Sequence, residues 1–152
     1  MIRLERLTDE RVEACARLYR DAYGQSPWNE TYEPQAVEAY LREFAQEGAF
    51  FGYVLTWDGQ SAALALCVRL PGVGCPALRV EDLCVAPRFQ RRGLGGKLLG
   101  LLEKEAAKLG AYCVLLGTQR DFPSHAFYLK NGFSDVDGAV LMYREVGRTS
   151  SD

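Results

Sequence analysis

Histidine is almost absent from this chain: among its 152 residues only His125 is a histidine. A single imidazole rules out the usual histidine-based metal sites and most Ser-His or Cys-His nucleophilic arrangements. The sequence also lacks a D-x-D-x-D loop of the kind that binds calcium through carboxylates. We therefore expect no metal site, and any chemistry to depend on carboxylates, tyrosines, backbone groups and a cofactor taken up from solution.

Paired cysteines and long apolar runs are missing as well. The five cysteines form an odd, scattered set without C-x-x-C spacing: Cys15, Cys67, Cys75, Cys84 and Cys113. Such a set is typical of reduced thiols in a cytoplasm rather than of a disulfide framework. The start, MIRLERLTDE, has no apolar signal region, and no uninterrupted apolar run reaches membrane-spanning length. These absences favour a cytoplasmic protein that does not associate with membranes.

Length and composition are those of one globular domain. A chain of 152 residues buries a core without needing disulfides or metals. Its apolar share of 48% and charged share of 25% are ordinary for a soluble protein. There are no repeats, low-complexity tracts or internal linkers. The sequence therefore predicts one domain over residues 1–147 and a frayed tail over residues 148–152.

Charge is unevenly distributed along the chain. Residues 21–58 contain seven acidic residues and one basic residue, Arg42, whereas residues 83–102 contain four basic residues and no acidic one. One part of the surface should therefore attract cations and another part anions. Nucleic-acid binding is disfavoured, because the pI is near 5.5 and the basic cluster is confined to one turn.

Hydrophobic periodicity predicts the element order β-α-α-β-β-β-α-β-α-β, which fits one α/β domain with a mixed sheet. Thr8 and Pro34 mark the starts of the first two helices, Asp58-Gly59 a hairpin turn, and Asn131-Gly132 the end of the last helix. The predicted strands are 2–7, 50–57, 60–70, 78–85, 111–118 and 138–146, and the predicted helices are 8–23, 34–47, 94–109 and 123–131.

The stretch PRFQRRGLGGKLLGLLEKEAAKLG places a basic, glycine-rich turn at the start of a helix. A helix N-terminus offers unpaired N–H groups and a positive dipole end, which together suit a phosphate. Glycines allow unusual φ angles and close approach of the backbone to a ligand. The run matches neither G-x-x-x-x-G-K-[ST] nor G-x-G-x-x-G, but it does match Q-x-x-G-x-G. The sequence therefore predicts an anion cradle.

Two segments resemble motifs of the GNAT superfamily of N-acetyltransferases. VEDLCVAPRFQRRGLGGKLL resembles its acetyl-CoA-binding motif, and DFPSHAFYLKNGF resembles its C-terminal signature. The resemblance implies a single-domain α/β fold with a mixed sheet of about six or seven strands and about four helices. It also implies acetyl-CoA as cosubstrate, with the backbone of one strand pairing with the pantetheine arm and the next strand splaying away.

The cofactor-binding residues implied by this resemblance lie on that strand, on the turn and on the last helix. They are Leu83, Cys84, Val85, Gln90, Arg91, Arg92, Gly93, Leu94, Gly95, Gly96, Lys97, Ser124, Phe127 and Tyr128. The superfamily often has Asn where this chain has Asp121, and an ionised acid there donates no hydrogen bond, so the resemblance leaves open whether Asp121 contacts the cofactor.

Transfer from a thioester to an amine requires a base, a donor to the carbonyl oxygen and an acid for the thiolate. Glu81 and Asp82 are adjacent on an apolar strand and point to opposite faces. Glu81 shares its face with Leu83 and is the first candidate for the base, with Asp82 as the alternative, unless a carboxylate simply pairs with an arginine such as Arg79. The resemblance places the phenol of Tyr128 opposite the coenzyme sulfur, as the acid.

The loop SPWNETYE predicts the acceptor site. Aromatic faces and carboxylates together suit a cationic amine. The substrate-binding candidates are Trp28, Asn29, Glu30, Tyr32 and Glu81. PWNE is similar to GNAT proteins labelled aminoglycoside acetyltransferases, while a polyamine, another small amine and a peptide N-terminus stay open as acceptors. The alternative to an enzyme is a non-catalytic acyl-CoA sensor, and nothing in the sequence decides whether the chain forms a homodimer.

Overall fold

The computed structural model describes residues 1–147 as five strands in one mixed sheet, four α-helices and a 3₁₀ helix. The predicted frayed tail, residues 148–152, lies outside the described residues. The strands are β1 (Ile2–Arg6), β2 (Phe50–Trp57), β3 (Gln60–Leu70), β4 (Ala77–Val85) and β5 (Cys113–Leu116). The helices are α1 (Asp9–Tyr23), α2 (Pro34–Glu43), the 3₁₀ helix (Pro87–Phe89), α3 (Leu94–Lys108) and α4 (Pro123–Lys130).

The hairpin of β2 and β3 is confirmed, together with its turn. Asp58 has φ 50° and Gly59 has φ 83°, so both central residues lie in the left-handed region that a two-residue hairpin turn of this hand requires. The strand pairs are antiparallel up to β4, and the sheet order is β1-β2-β3-β4-β5. Every side chain from Ala62 to Val68 is buried, so both faces of β3 are covered.

The helices form close to the predicted positions. The expected inward stripe of α1, which includes Val12, Cys15 and Ala16, is buried. Thr8 occupies the N-cap position, but its side chain makes no capping hydrogen bond. α2 ends at Glu43, earlier than predicted. The predicted end of α4 is confirmed by Gly132, whose φ of 91° suits a glycine after the last helical turn.

The predicted number of strands, six or seven, is wrong for the part of the chain that the structure describes, which has five. The missing element is the predicted last strand at 138–146, which forms no ladder with the sheet. Its sequence suits a strand, but β-structure needs a neighbouring strand to pair with, and none lies beside it. β5 is consequently an edge strand, paired only with β4, to which it is parallel.

Within residues 1–147, none of the helices is both long enough and apolar enough to cross a bilayer.

Candidate active site

A cleft of about 940 Å³ opens where β4 and β5 diverge. Their parallel pairing ends at Val80 and Leu116, whereas β4 continues to Val85. Residues 81–85 therefore have no strand partner on the β5 side, and the strands splay as the resemblance implies. The other walls are the glycine turn, the start of α4 and the loop after α1. The volume falls within the range of about 300–1,000 Å³ typical of small-ligand sites.

The glycine turn presents a row of free backbone donors. Within residues 1–147, none of the N–H groups of residues 91–96 donates a hydrogen bond, and the ladder of α3 begins with the bond from Lys97 N–H to Gly93 C=O at 3.1 Å. Arg91 has φ 62° and Gly93 has φ 77°, so two left-handed residues turn this short stretch toward the helix start. Successive free N–H groups beside a helix N-terminus form an anion-binding concavity.

The next two glycines serve packing against α4. A Cβ atom on Gly95 would lie 2.9 Å from Cζ of Phe127, and one on Gly96 would lie 2.9 Å from Oδ1 of Asn131. The sequence predicts close approach of a ligand at these glycines, and both line the cleft. Their missing side chains also let α4 approach the start of α3.

The three basic residues that the sequence predicts to bind the cofactor have different surroundings. Arg91 lines the cleft. The guanidinium of Arg92 lies over the rings of Trp57 and Phe89, with its Cζ atom 5.3 and 5.7 Å from their centroids. Lys97 is exposed and does not line the cleft.

Arg92 and Lys97 are thus the two predicted cofactor residues that the structure leaves outside the cleft. The others line it: Leu83, Cys84, Val85, Gln90, Arg91, Gly93, Leu94, Gly95, Gly96, Ser124, Phe127 and Tyr128. Asp121 is exposed and does not line it either.

The two adjacent carboxylates differ sharply in environment, although both border the cleft. Glu81 is ion-paired with Arg79, whose side chain is half exposed. Asp82 lies deeper, and its carboxylate accepts three phenol hydrogen bonds. Tyr19 and Tyr23 donate to Oδ1 at 3.3 and 3.1 Å, and Tyr40 donates to Oδ2 at 2.5 Å. The burial that the sequence predicts for the catalytic base is therefore found at Asp82.

Opposing effects act on the acidity of Asp82. Burial, with a smaller contribution from the charge of Glu81, raises the pKa of its carboxyl group above the ordinary value, and the phenol hydrogen bonds counteract part of this rise. Burial is also the main reason why the pKa values of Tyr19, Tyr23 and Tyr40 are raised, so these phenols stay protonated as donors. A carboxylate offers about four acceptor positions, and three are used here.

We expect Tyr40→Phe to raise the pKa of Asp82 further. The substitution removes the shortest of the three hydrogen bonds, and donation to a charged group stabilises it by about 1.5–3 kcal/mol. Titration of the Asp82 carboxyl carbon by NMR measures the change. Tyr53→Phe is the matched control, because Tyr53 bonds to Glu105 and not to Asp82. An unchanged or lowered pKa in Tyr40→Phe would show that this hydrogen bond does not stabilise the charged carboxylate.

Tyr128 lies on α4 and faces the same cleft. Its ring packs between those of Phe127 and Phe133, at centroid distances of 5.2 and 5.5 Å. Burial, and then the proximity of Cys84 and Asp82, raise the pKa of the phenol to about 12, which keeps it protonated at neutral pH. Cys84 itself is buried, and burial raises the pKa of its thiol, so it behaves as a small apolar side chain rather than a nucleophile.

Of the acceptor-loop candidates, the structure brings Trp28 into the cleft but not Asn29, Glu30 or Tyr32. The ring of Trp28 packs edge-on against Tyr23 at 5.6 Å and Phe122 at 6.1 Å, and so connects α1 with the segment before α4. Asn29 is exposed, and its side chain bonds to the backbone of its own loop.

The sequence alone does not predict that three tyrosines surround Asp82. Tyr19 and Tyr23 are four residues apart on α1, a spacing that indicates one helix face, and their ring centroids lie 4.6 Å apart. The expectation for such a face is core packing. Their partner on β4 is not visible from that spacing.

Within residues 1–147, no group of three or more His, Cys, Asp or Glu side chains is arranged to hold a metal ion. The candidate site has a row of free N–H groups at one end, and a buried carboxylate and a protonated phenol line the same cleft.

A splayed mixed α/β sheet with a row of free N–H groups at its opening suits an extended anionic ligand. The model of the Acetyltransferase (GNAT) family matches residues 12–133, and the chain belongs to this family. No functionally curated protein shows significant similarity to the sequence.

Solved structures share the fold at low sequence identity. The aminoglycoside N-acetyltransferase AAC(6')-Iy in complex with CoA is 19% identical with a TM-score of 0.77, over 95% of each chain. Meta-AAC0020, an aminoglycoside acetyltransferase from an uncultured soil metagenomic sample, solved with sisomicin, is 16% identical with a TM-score of 0.75, over 96% of this chain and 97% of that one. The ribosomal-protein-alanine N-acetyltransferase from Brucella melitensis biovar Abortus 2308 is 15% identical with a TM-score of 0.76, over 95% and 100%.

Proposed function

We propose that this protein transfers an acetyl group from acetyl-CoA directly to a primary amine of a small cationic acceptor. The observation that carries the proposal is the single cleft that joins the free N–H groups of Arg91 and residues 93–96 to Asp82 and Tyr128. A ligand that spans this cleft has an anionic end in the cradle and its reactive end beside groups able to accept and donate protons.

The chain's own residues fit two parts of coenzyme A, its pyrophosphate and its pantetheine arm. The guanidinium of Arg91 and the N–H groups of Arg91 and residues 93–96 would hold the pyrophosphate. The edge of β4 at residues 81–85, which no strand covers on the β5 side, would pair with the amide-bearing pantetheine arm. Gln90 donates from its side chain to the carbonyl of Val85 at 3.0 Å, which fixes the turn against the end of this strand.

Asp82 is the proposed base. An amine is cationic in water and must lose a proton before it attacks a thioester. The phenols of Tyr19, Tyr23 and Tyr40 use three acceptor positions of the carboxylate and leave about one for an ammonium proton. The raised pKa of Asp82 makes its carboxylate a stronger proton acceptor than an exposed one.

Tyr128 is the proposed acid. Before attack, the ammonium group gives one proton to Asp82, which releases it to solvent. As the new C–N bond forms and the C–S bond breaks, the nitrogen gives its second proton to Asp82, and the proton of the Tyr128 phenol passes to the departing thiolate. A phenol whose pKa is raised to about 12 is fully protonated at neutral pH, so it carries the proton that this step requires. Aspartic acid and phenolate then exchange a proton with solvent to restore the starting state.

A small polycationic acceptor fits the acceptor end best. The rings of Tyr23 and Trp28, 5.6 Å apart and edge to face, border the cleft next to Asp82 and Glu81. Aromatic faces and carboxylates together attract an ammonium group. The aminoglycoside enzymes among the structural neighbours show that this fold accommodates such acceptors, and the ribosomal-protein-alanine enzyme shows that it also accommodates a protein amine.

Thiol release from acetyl-CoA tests the proposal. The panel of acceptors contains aminoglycosides, spermidine, small monoamines, amino acids and short peptides with free N-termini. We expect saturable release with the polycationic members, because each presents an ammonium group to the aromatic and acidic end of the cleft. Release with peptides alone would assign a peptide N-terminus as acceptor. Coenzyme A binding by calorimetry without release from any member would instead favour a non-catalytic sensor.

A further inference from the structure

Each turnover of the proposed reaction leaves two protons, one after the other, on the carboxylate of Asp82. The first comes from the acceptor ammonium group before attack, and it must leave before the second arrives as the C–N bond forms. Acetyl-CoA and the acceptor are both bound at that moment. Asp82 borders the cleft that these ligands would fill, so its cleft side is then covered. The first proton therefore needs a route to solvent on another side of Asp82.

The three phenols around Asp82 divide between its two carboxylate oxygens. Tyr19 and Tyr23 donate to Oδ1 at 3.3 and 3.1 Å, whereas Tyr40 donates to Oδ2 at 2.5 Å. Each carboxylate oxygen accepts about two hydrogen bonds, so both positions on Oδ1 are used and the free position lies on Oδ2. The proton of the acceptor therefore arrives on the same oxygen that Tyr40 contacts.

Tyr40 reaches this oxygen from outside the cleft. Tyr23 lines the cleft, whereas Tyr40, which lies on α2, does not. The side chain of Tyr40 is partly exposed, while Tyr19 is buried. A phenol oxygen both donates and accepts hydrogen bonds, so it can connect a carboxyl group with water. Tyr40 thus links Oδ2 to solvent on a side that ligands in the cleft leave open.

Acidic groups surround the phenol of Tyr40. Burial, then the hydrogen bond to Asp82, then the charges of Asp82, Glu81 and Glu43 raise its pKa above the ordinary value. Glu43 lies on α2 itself and Glu81 on β4, and both are exposed. On the side of α1 the facing group is Tyr19, with the two ring centroids 6.0 Å apart. The phenol therefore stays neutral, and the exposed carboxylates favour movement of a proton outward.

We propose that Tyr40 relays protons from Oδ2 of Asp82 to solvent while the cleft is occupied, a role that rests on the proposed acetyl transfer with Asp82 as base. The carboxyl O–H turns toward Tyr40 as the phenol O–H turns toward a water molecule. The proton on Oδ2 then passes to the phenol oxygen, and the phenol proton passes to water. Asp82 is again a carboxylate, Tyr40 is again a neutral phenol, and the water carries one proton away.

Tyr40→Phe tests the relay, because it keeps the ring and removes the hydroxyl group. Tyr40 acts through Asp82 and does not touch the substrate. We therefore expect kcat to fall by about tenfold or more on the pH plateau, while the dissociation constant for coenzyme A stays within about twofold. Proton release then becomes the slow step, so we also expect a larger solvent deuterium isotope effect on kcat than in the wild type.

Tyr19→Phe is the matched control, since it removes a hydrogen bond to the same carboxylate, at Oδ1, from a buried phenol. We expect it to move the acid limb of the kcat profile to higher pH, because the charged carboxylate loses a donor. We expect its solvent isotope effect to equal that of the wild type, because the route through Tyr40 remains.

Tyr40→Ala separates the relay from packing. Without the ring, water reaches Oδ2 and replaces the phenol oxygen, so we expect kcat to be at least about threefold higher than in Tyr40→Phe. A packing role predicts the opposite order, because truncating a large ring costs more than removing its hydroxyl group. Calorimetry with coenzyme A counts the folded sites of each variant, and kcat is expressed per site.

The outcomes distinguish the relay from the reaction that it serves. Equal isotope effects in Tyr40→Phe and Tyr19→Phe would overturn the relay and leave acetyl transfer intact, and so would a lower kcat in Tyr40→Ala than in Tyr40→Phe. If the alanine variant binds no coenzyme A, the isotope comparison decides. No turnover by the wild-type chain with any acceptor of the amine panel would contradict acetyl transfer itself, and the relay with it.

Discussion

Replacing Asp82 with asparagine is expected to lower kcat by about 10²–10⁴, the range typical of removing a general base. Asparagine keeps the size of the side chain, and its one oxygen still accepts the phenol hydrogen bonds on one side, either those of Tyr19 and Tyr23 at Oδ1 or that of Tyr40 at Oδ2. What it loses is the ability to take a proton at neutral pH. Steady-state thiol release, with the acceptor identified from the amine panel, measures the effect.

Glu81→Gln is the matched control, because Glu81 is the neighbouring carboxylate of the same strand and borders the same cleft. Its ion pair with the half-exposed Arg79 contributes little, so we expect kcat to change by less than about fivefold. The opposite result, a large loss in Glu81→Gln and a small one in Asp82→Asn, would assign the base to Glu81. Similar small losses in both variants would remove a carboxylate base from the mechanism.

The acid limb of the kcat profile gives an independent measure of the same group. The base must be ionised to act, so activity falls as the pH drops through its pKa. Burial raises the pKa of Asp82, and the limb should therefore lie above the ordinary range for an aspartate. In Tyr40→Phe, which removes a hydrogen bond to the charged form, the limb should move to still higher pH.

Gly93→Asp is expected to raise the dissociation constant for coenzyme A by about 100-fold or more, because it places a negative charge beside the proposed pyrophosphate site. A Cβ atom on Gly93 meets nothing within 4 Å, so the new side chain has room and the packing around it is unchanged. Isothermal titration calorimetry measures the affinity directly and needs no acceptor.

Gly93→Asn separates charge from backbone strain. Gly93 has φ 77°, and Asn and Asp both tolerate left-handed backbone better than other residues with a side chain. Both variants add a side chain of nearly the same size, so only the aspartate adds charge, and we expect the asparagine variant to lose less than about tenfold in affinity. Equal losses in the two variants would show that the backbone conformation, and not the charge, governs binding.

The features that the sequence predicts correctly are local. The hairpin at Asp58-Gly59, the end of α4 at Gly132 and the start of α3 after Gly93 each depend on a few consecutive residues whose backbone preferences decide the outcome. Short-range patterns of this kind are present in the sequence itself. The motif match that identified the family is local in the same sense.

The surroundings of Asp82 could not be predicted, because they depend on contacts across the fold. Its phenol partners are 42 to 63 residues away in sequence, on two helices. The assignment of Glu81 to the face of Leu83 assumed unbroken alternation along the strand. The register against β3 instead shifts, with Leu66 opposite Asp82 and Cys67 opposite Val80, so Glu81 has no direct partner.

Arg92 shows the same dependence on distant contacts. Its place in the basic run made it a phosphate-binding candidate, but Trp57 and Phe89 lie under its guanidinium. Cation–π contacts of this kind compete with the ligand for the side chain. A count of basic residues near a turn therefore overestimates the charge that reaches the ligand.

The contact between Gly95 and Phe127 fixes the distance between the cradle and Tyr128. Phe127 is the residue before Tyr128, so the packing that a glycine allows at the start of α3 also sets how far the proposed acid lies from the cradle. Neither the cradle nor Tyr128 can move along the cleft without disturbing that contact. The protein would accordingly select its acyl carrier by the distance between the anionic group and the sulfur. A thioester in which this distance is shorter or longer than that from the cradle to Tyr128 would hold its carbonyl away from the phenol, however well its anion bound.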